Sequence, residues 1–182
     1  LSEARDGAGA GLRVVFGVII GTGVGGGVVV QGEALSGPNA IAGEWGHNPL
    51  PWPRDDERPG SPCYCGLRGC IETFLSGPAF AASAGATDAT EVVRAARQGD
   101  SRALDQLDLY FDRLARSLAT IINMIDPDAI VLGGGMSNTE EIYQRVPGLW
   151  ARYAFTPTVG TRLLRNRHGD SSGVRGAAWL VD

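Results

Sequence analysis

All three cysteines of the chain fall within one short stretch, at Cys63, Cys65 and Cys70, and one of the two histidines, His47, lies shortly before them. Three thiols and one imidazole form the donor set of a tetrahedral Cys3His zinc site, and four protein ligands leave no open position, so such a zinc is structural. Gly66 and Gly69 lie between the sulfurs, where a tight loop needs residues without a Cβ. This stretch therefore predicts a loop folded around an ion.

Two other interpretations of the cysteines are open. They could be small buried hydrophobes, or two of them could form a disulfide and leave one thiol over. Their grouping in one glycine-containing loop favours the metal, although the Cys-x-Cys-x4-Cys spacing differs from the common Cys-x2-Cys pair. Glu44 and Glu72 flank the ligands. This arrangement predicts a metal that braces a pocket, and carboxylates that are free to bind a substrate.

Composition narrows the possible functions. The chain has 182 residues, 43% of them hydrophobic, enough for one core or for one lobe of a larger protein. Its net charge of −4 indicates neither nucleic-acid nor anionic-membrane binding. Reduced thiols favour the cytoplasm. The first residues show no signal peptide, and because Leu1 stands where Met is usual, we expect a fragment.

A glycine-rich stretch near the start predicts a second functional element. We expect a strand over 13–20, a loop over 21–27 and a short strand over 28–30. The loop matches the Gly-x-Gly-x-x-Gly fingerprint, but a strand follows where a dinucleotide site needs a helix, and no Gly-Lys-Ser/Thr follows for a P-loop. The loop is therefore interpreted as an anion-binding nest of backbone N–H groups. The alternative is a hairpin turn that binds no ligand.

The rest of the chain is predicted to contain further helices and strands. We expect an irregular exposed insertion over 49–62, helices over 71–75 and 87–99, and a long helix capped by Ser101 and stopped by Asp126-Pro127. Strands are expected over 129–132 and 159–164, a helix from about Thr139, a surface position for His168, and a final helix ending near Trp179. The apolar stripe of the long helix consists of Leu104, Leu107, Phe111, Leu114, Leu118, Ile121, Ile122 and Ile125.

Several of these motifs together resemble the ROK family (repressors, open reading frames, kinases). They are Glu44-x-Gly-His47, Cys63-x-Cys65-Gly-x-x-Gly-Cys70-x-Glu72, the 21–27 loop and Leu132-Gly-Gly-Gly-Met136-Ser. Residues 47–52 and 170–179 are most similar to bacterial fructokinases and manno(fructo)kinases. The resemblance implies an α/β fold of the actin-like, ribonuclease-H-like ATPase type, of which 1–182 would be the C-terminal lobe carrying the zinc loop 44–72.

The resemblance also implies roles for individual residues. Glu44, His47 and Glu72 would bind sugar hydroxyls, and His47 would give one ring nitrogen to zinc and the other to the sugar. ATP with Mg²⁺ would bind at two glycine segments, formed by Gly21, Thr22, Gly23 and Gly25 for the phosphates and by Gly133, Gly134, Gly135 and Met136 for adenosine.

One departure from the family pattern concerns the catalytic base. Phosphoryl transfer to a hydroxyl needs an aspartate that accepts its proton. In the family this aspartate lies in an Asn-Asp pair just before the Leu-Ser-Glu-Ala segment with which this chain begins, and the first phosphate motif precedes it. We therefore expect no catalytic residue in this chain and no sugar phosphorylation by the chain alone.

The function expected of the intact protein is ATP-dependent phosphorylation of fructose or mannose. Glucose or an N-acetylhexosamine is an alternative, because kinases for these sugars share the same hydroxyl-binding residues. A sugar-sensing repressor is another, although repressors often lose the nucleotide glycines that are intact here. A bare zinc module would leave both glycine loops unexplained. The family likeness implies a homodimer, and from the weakly acidic charge we expect no nucleic-acid or membrane partner.

Overall fold

The computed structural model describes residues 1–169. Its framework is a five-stranded sheet in the order β3-β2-β1-β4-β5. Strand β1 pairs antiparallel with β2 and parallel with β4, and β4 pairs parallel with β5. The strands are β1 (Val14–Ile20), β2 (Val24–Val30), β3 (Glu33–Ala34), β4 (Ala129–Gly133) and β5 (Arg162–Arg165). The predicted α/β class is confirmed.

Strands β1 and β2 form the predicted hairpin, but the prediction of a seven-residue loop is wrong. Ile20 pairs directly with Val24, so only residues 21–23 make the turn. Gly25 to Gly27 lie within β2. Trp45 packs against this strand at Gly26, where a Cβ would come within 2.8 Å of the Trp45 ring. Gly26 therefore makes room for a buried indole rather than lengthening the loop.

The two faces of the sheet are covered unequally. Alternate residues of the strands, such as Phe16 and Ile130, enter a large core with the helices. The strand residues between them, such as Val15 and Val131, face the other side of the sheet and pack with Ala4 in a smaller cluster. The helices are α1 (Ser2–Arg5), α2 (Glu72–Leu75), α3 (Gly77–Ala84), α4 (Ala89–Arg97), α5 (Ser101–Ile125) and α6 (Glu140–Leu149).

The long helix α5 supplies much of the core, with corrections at its N-terminal end. Asp100, not Ser101, is the N-cap, and its side chain accepts the Ala103 N–H. Leu104 is 40% exposed and does not belong to the buried stripe. The helix ends as predicted at Asp126, which adopts φ 44° before Pro127. Among residues 1–169, no helix combines the length and apolar character needed to cross a bilayer.

Helix α3 was missed by the sequence analysis, which ended its helix at Leu75. Ser76 begins α3, and its side chain accepts the Ala79 N–H. Helix α4 agrees with prediction, since the Asp88 carboxylate accepts the Glu91 N–H at its N-terminus. The final strand begins later than predicted, at Arg162. The predicted terminal helix ending near Trp179 lies outside the described residues.

The insertion over 49–62 is irregular and mostly exposed, as predicted, with two buried exceptions. A short 3₁₀ turn, Asp55–Glu57, lies within it. Leu50 and Glu57 are buried, and the Glu57 carboxylate forms ion pairs with Arg113 and Arg116 of α5. The insertion is therefore anchored in the core through Leu50 and Glu57.

Candidate functional site: a Cys3His cluster beside a hairpin-lined cavity

The structure brings the four predicted metal ligands together. His47 ends a 3₁₀ turn, Trp45–His47, that packs against β2 through the buried Trp45. One ligand atom from each of His47, Cys63, Cys65 and Cys70 lies within 4.8 Å of the others. The His47 Nδ1 atom is 3.4 Å from the Cys63 sulfur, and the Cys65 and Cys70 sulfurs are 3.6 Å apart.

The loop geometry follows from its glycines and backbone bonds. Gly66 and Gly69 adopt φ 92° and 71°, in the left-handed region that glycine adopts without strain. The Cys63 N–H donates to the Leu67 carbonyl at 2.8 Å. Pro49 bridges Cys70 in an antiparallel arrangement, which fixes the His47 side of the cluster beside the cysteine loop.

These distances fit a zinc ion. Zn–S bonds of about 2.3 Å in a tetrahedron place neighbouring donors about 3.8 Å apart, close to the two separations above. Burial, followed by hydrogen bonds from the other thiols, raises the pKa of Cys70 to about 12. Hydrogen bonding from the Leu67 backbone lowers the pKa of Cys65. Because thiolates are the metal-binding form, a bound cation would stabilise the deprotonated state of the buried Cys70.

The predicted sugar-binding residues have different surroundings. Glu72 is half-buried and accepts the backbone N–H of Val24 at 2.8 Å, so its carboxylate contacts the β1–β2 hairpin. Glu44 is exposed. The second ring nitrogen of His47, Nε2, is 2.9 Å from the Tyr64 hydroxyl. The sequence analysis did not single out Tyr64.

A cavity of about 570 Å³ lies on the other side of the hairpin turn. Of the predicted nucleotide-binding residues, Gly21, Thr22, Gly135 and Met136 line it. The remaining four are not among its lining residues: Gly23, Gly25, Gly133 and Gly134. Gly25 and Gly133 lie within strands. Gly134 is packed against the Ile20 backbone and so holds the end of β4 beside the end of β1.

Helix α4 forms a wall of this cavity that the sequence analysis did not predict. Thr90, Arg94 and Arg97 line it, together with Asp88 at the helix N-terminus. Arg97 is held by a two-point ion pair with Glu141, at 2.7 and 2.9 Å. Within residues 1–169, the Arg94 side chain forms no hydrogen bond or ion pair. The α4 sequence carried only a capping signal, so no local pattern could have placed these arginines.

A hydrogen bond from Val24 to Glu72 joins the two parts of the site directly. Glu72 follows the last metal ligand by two residues, and it bonds the hairpin whose turn lines the cavity. A Cβ on Gly23 would lie 2.8 Å from the Glu72 carboxylate, so the turn approaches this side chain closely. The arrangement can hold a polar ligand at the cluster and an anion at the turn, close to each other.

Comparison with known proteins gives consistent matches over the whole chain. The sequence model of the ROK family matches residues 1–182. The chain is 41% identical, over 189 aligned residues, to an N-acetyl-D-glucosamine kinase of Pectobacterium atrosepticum, and the match covers 99% of this chain and 62% of that protein. The chain thus spans less than two thirds of the length of the curated relatives it matches.

Two solved structures resemble the described fold. A ROK family glucokinase from Streptomyces griseus, in complex with glucose and AMPPNP, is 27% identical with a TM-score of 0.86, over 98% of this chain and 64% of that one. A ROK hexokinase from Thermus thermophilus is 31% identical with a TM-score of 0.85, over 97% of this chain and 59% of that one. The predicted actin-like ATPase fold is confirmed.

Proposed function

The chain belongs to the ROK family, and on that premise we propose that the protein containing it phosphorylates a hexose with ATP. The observation that carries the proposal is the hydrogen bond from the Val24 N–H to Glu72. This bond connects Glu72, which lies near the Cys3His cluster in the chain, to the glycine turn of the hairpin. Imidazole and carboxylate groups suit sugar hydroxyls, and the glycine turn suits phosphates. Sugar and nucleotide must meet in this way for direct phosphoryl transfer.

We propose that Glu44, His47 and Glu72 bind the sugar. Carboxylates accept hydrogen bonds from hydroxyl groups, and such charge-assisted bonds are stronger than neutral ones. His47 directs Nδ1 towards the sulfurs and Nε2 away from them. The imidazole can therefore be oriented by a metal while its second nitrogen binds a ligand.

The Cys3His cluster is proposed as a structural zinc site. Zinc bound there would orient the His47 ring and hold the Glu72 side of the loop in place, without an open coordination position. His47, Cys63, Cys65 and Cys70 would be its ligands.

The nucleotide is proposed to bind in the cavity beside the hairpin turn. The phosphates would bind beside Gly21 and Thr22 and adenosine near Gly135 and Met136, the four predicted residues that line the cavity; Gly23, Gly25, Gly133 and Gly134 would shape the backbone around it. Arg94 adds a cation to the cavity wall, which suits a ligand that carries phosphates. Mg²⁺ would accompany ATP and offset phosphate charge.

We place the proton-accepting aspartate outside these 182 residues, on the family likeness alone. Residues 1–182 would then be the C-terminal lobe, with zinc loop 44–72. We further propose a cytoplasmic homodimer. Light scattering of the purified intact protein tests the dimer, and turnover by the 182-residue chain alone would contradict the placement of the base.

The sugar is proposed to be a hexose, with two leading candidates. The flanking residues resemble those of fructokinases, whereas the 41% identical relative is an N-acetyl-D-glucosamine kinase. The comparisons do not support fructose in particular, so we favour N-acetyl-D-glucosamine as the first substrate to test, with fructose, mannose and glucose beside it.

A coupled ADP-release assay of the intact protein tests the function. We expect turnover with one of these sugars, and a fall in kcat/KM of about 10- to 100-fold for Glu72→Gln, the scale of a lost hydrogen bond to a charged group. Glu33→Gln, at an exposed edge strand, is the matched control. Absence of turnover with every sugar would overturn the kinase proposal, and sugar binding without turnover would favour a sensor.

A further inference from the structure

Tyr64 makes a contact that folding does not explain. It lies between two metal ligands, and 84% of its surface is exposed. Its ring meets the His47 ring edge-on, with centroids 5.0 Å apart. Its hydroxyl lies 2.9 Å from His47 Nε2. A side chain that is this exposed adds little hydrophobic stabilisation. Its main interaction is the contact of its hydroxyl with His47.

The direction of this hydrogen bond follows from the metal-binding tautomer. If Nδ1 faces the ion, it carries no hydrogen, so the single ring hydrogen lies on Nε2. That N–H donates to the Tyr64 oxygen. An imidazole N–H forms one good hydrogen bond at a time, so Tyr64 and a sugar oxygen cannot both accept it fully.

The surroundings of Tyr64 are those proposed for the sugar. Local desolvation, and then charges that include Glu72 and Glu44, raise the pKa of Tyr64. The hydroxyl itself contacts His47, one of the three side chains proposed to bind the sugar.

Resting on the proposed function, we propose that Tyr64 is a specificity-determining residue of the sugar site, whose hydroxyl occupies His47 Nε2–H until a sugar oxygen replaces it. The displaced phenol loses little, because water satisfies its hydroxyl. A sugar oxygen that accepts the Nε2–H of His47 replaces the hydrogen bond that the Tyr64 hydroxyl gives up. A ligand without that oxygen leaves Tyr64 where it is.

The test is equilibrium sugar binding to the intact, metal-loaded protein by titration calorimetry without nucleotide. Removing the competing hydroxyl with Tyr64→Phe should lower the sugar Kd by about two- to tenfold, the scale of one net hydrogen bond. Metal content should be unchanged. Leu67→Ala is the matched control, because it alters an exposed side chain of the same loop that does not contact His47, and its Kd should equal that of the wild type.

Deoxy analogues of the bound hexose sharpen the test. For the analogue that lacks the oxygen facing His47, wild type and Tyr64→Phe should bind equally, whereas the other analogues should keep the difference. An unchanged or raised Kd in Tyr64→Phe, with normal wild-type turnover, would overturn this inference and leave the proposed function standing. A wild type that neither binds nor phosphorylates any hexose would overturn both.

Discussion

The irregular segment between His47 and Glu72 is attached to the molecule in two ways that differ in their chemistry. At Glu57 the chain supplies both signs of charge and buries them, since the Glu57 and Arg116 side chains are only 1% and 2% exposed. At the Cys3His cluster the four side chains are all electron-pair donors, and Cys65 is exposed. The first attachment pairs opposite charges of the protein itself, whereas the second offers donors that a cation could bring together.

The buried attachment is dense in hydrogen bonds. Arg116 bonds both Glu57 oxygens, at 2.8 and 3.0 Å, and the carbonyls of Pro51 and Trp52. Arg113 adds a bond of 2.8 Å to Glu57. Burial alone would raise the pKa of Glu57, but the bonds from Arg116 and Arg113 lower it to about 2. This carboxylate therefore stays charged in the folded protein.

The two attachments should therefore affect different properties of the protein, the first its stability and the second its function. The buried ion pairs join the insertion to helix α5 and include none of the proposed ligands. The cluster contains His47, and Glu72 follows its last ligand by two residues. We propose that both side chains contact the sugar. Damage to the first attachment should therefore lower global stability, and damage to the second should lower sugar affinity more than stability.

The largest expected effect comes from Arg116→Met. This change keeps the aliphatic stem but leaves Glu57 with Arg113 as its remaining ion-pair partner, and it leaves two carbonyls without their donor. We expect the free energy of unfolding to fall by about 3–5 kcal/mol, as for other broken buried pairs. Urea denaturation measures it, and a loss of less than about 1 kcal/mol would show that the pair does not anchor the insertion.

Acid should weaken the same attachment. Because the pKa of Glu57 falls from 4.5 to about 2 on folding, its contribution is fully present above pH 4.5 and is lost as the pH falls towards 2. One titrating group adds a slope of up to about 1.4 kcal/mol per pH unit in this window.

The acid measurement uses a Cys70→Ser background, so that metal release does not contribute. In that background Glu57→Gln should remove this part of the slope of unfolding free energy against pH. Parallel slopes for the two proteins would contradict the assignment to Glu57.

Cys70→Ser should affect the other attachment and leave the first intact. We expect the intact protein to lose its bound metal, and the sugar Kd to rise about tenfold, a typical result when the support of a ligand-orienting group is lost. Hydrogen exchange should accelerate over residues 61–71 and remain slow at Glu57. Lost zinc with an unchanged sugar Kd would show that the metal does not brace the sugar site.

The smallest effect is expected for Arg58→Met. Arg58 pairs with Asp55 at 3.7 Å, and both side chains are exposed. Such surface pairs contribute about 0–1 kcal/mol, so urea denaturation should give nearly the wild-type curve. A loss as large as that of Arg116→Met would remove the distinction between buried and exposed charges on which the comparison rests.

The sequence predicted elements whose signals are local. The β1–β2 hairpin, helix α4 with its Asp88 cap, and the termination of α5 at Asp126-Pro127 each follow from residues close together in the chain. Helix α3 was missed because Gly77 and Pro78 suggested a break, although proline is well tolerated in a first helical turn. The glycines of β2 suggested a longer loop because nothing nearby indicates that Trp45 packs against them.

By itself, the sequence determined the donor set of the metal cluster, the α/β class and the glycine turn, because residue chemistry and short-range spacing specify these features. Tertiary structure alone decided the contact of Val24 with Glu72, 48 residues apart, the burial of Glu57 against Arg113, 56 residues away, and the place of Arg94 in the cavity wall. Contacts between distant residues depend on how whole elements pack, and no local pattern encodes that packing.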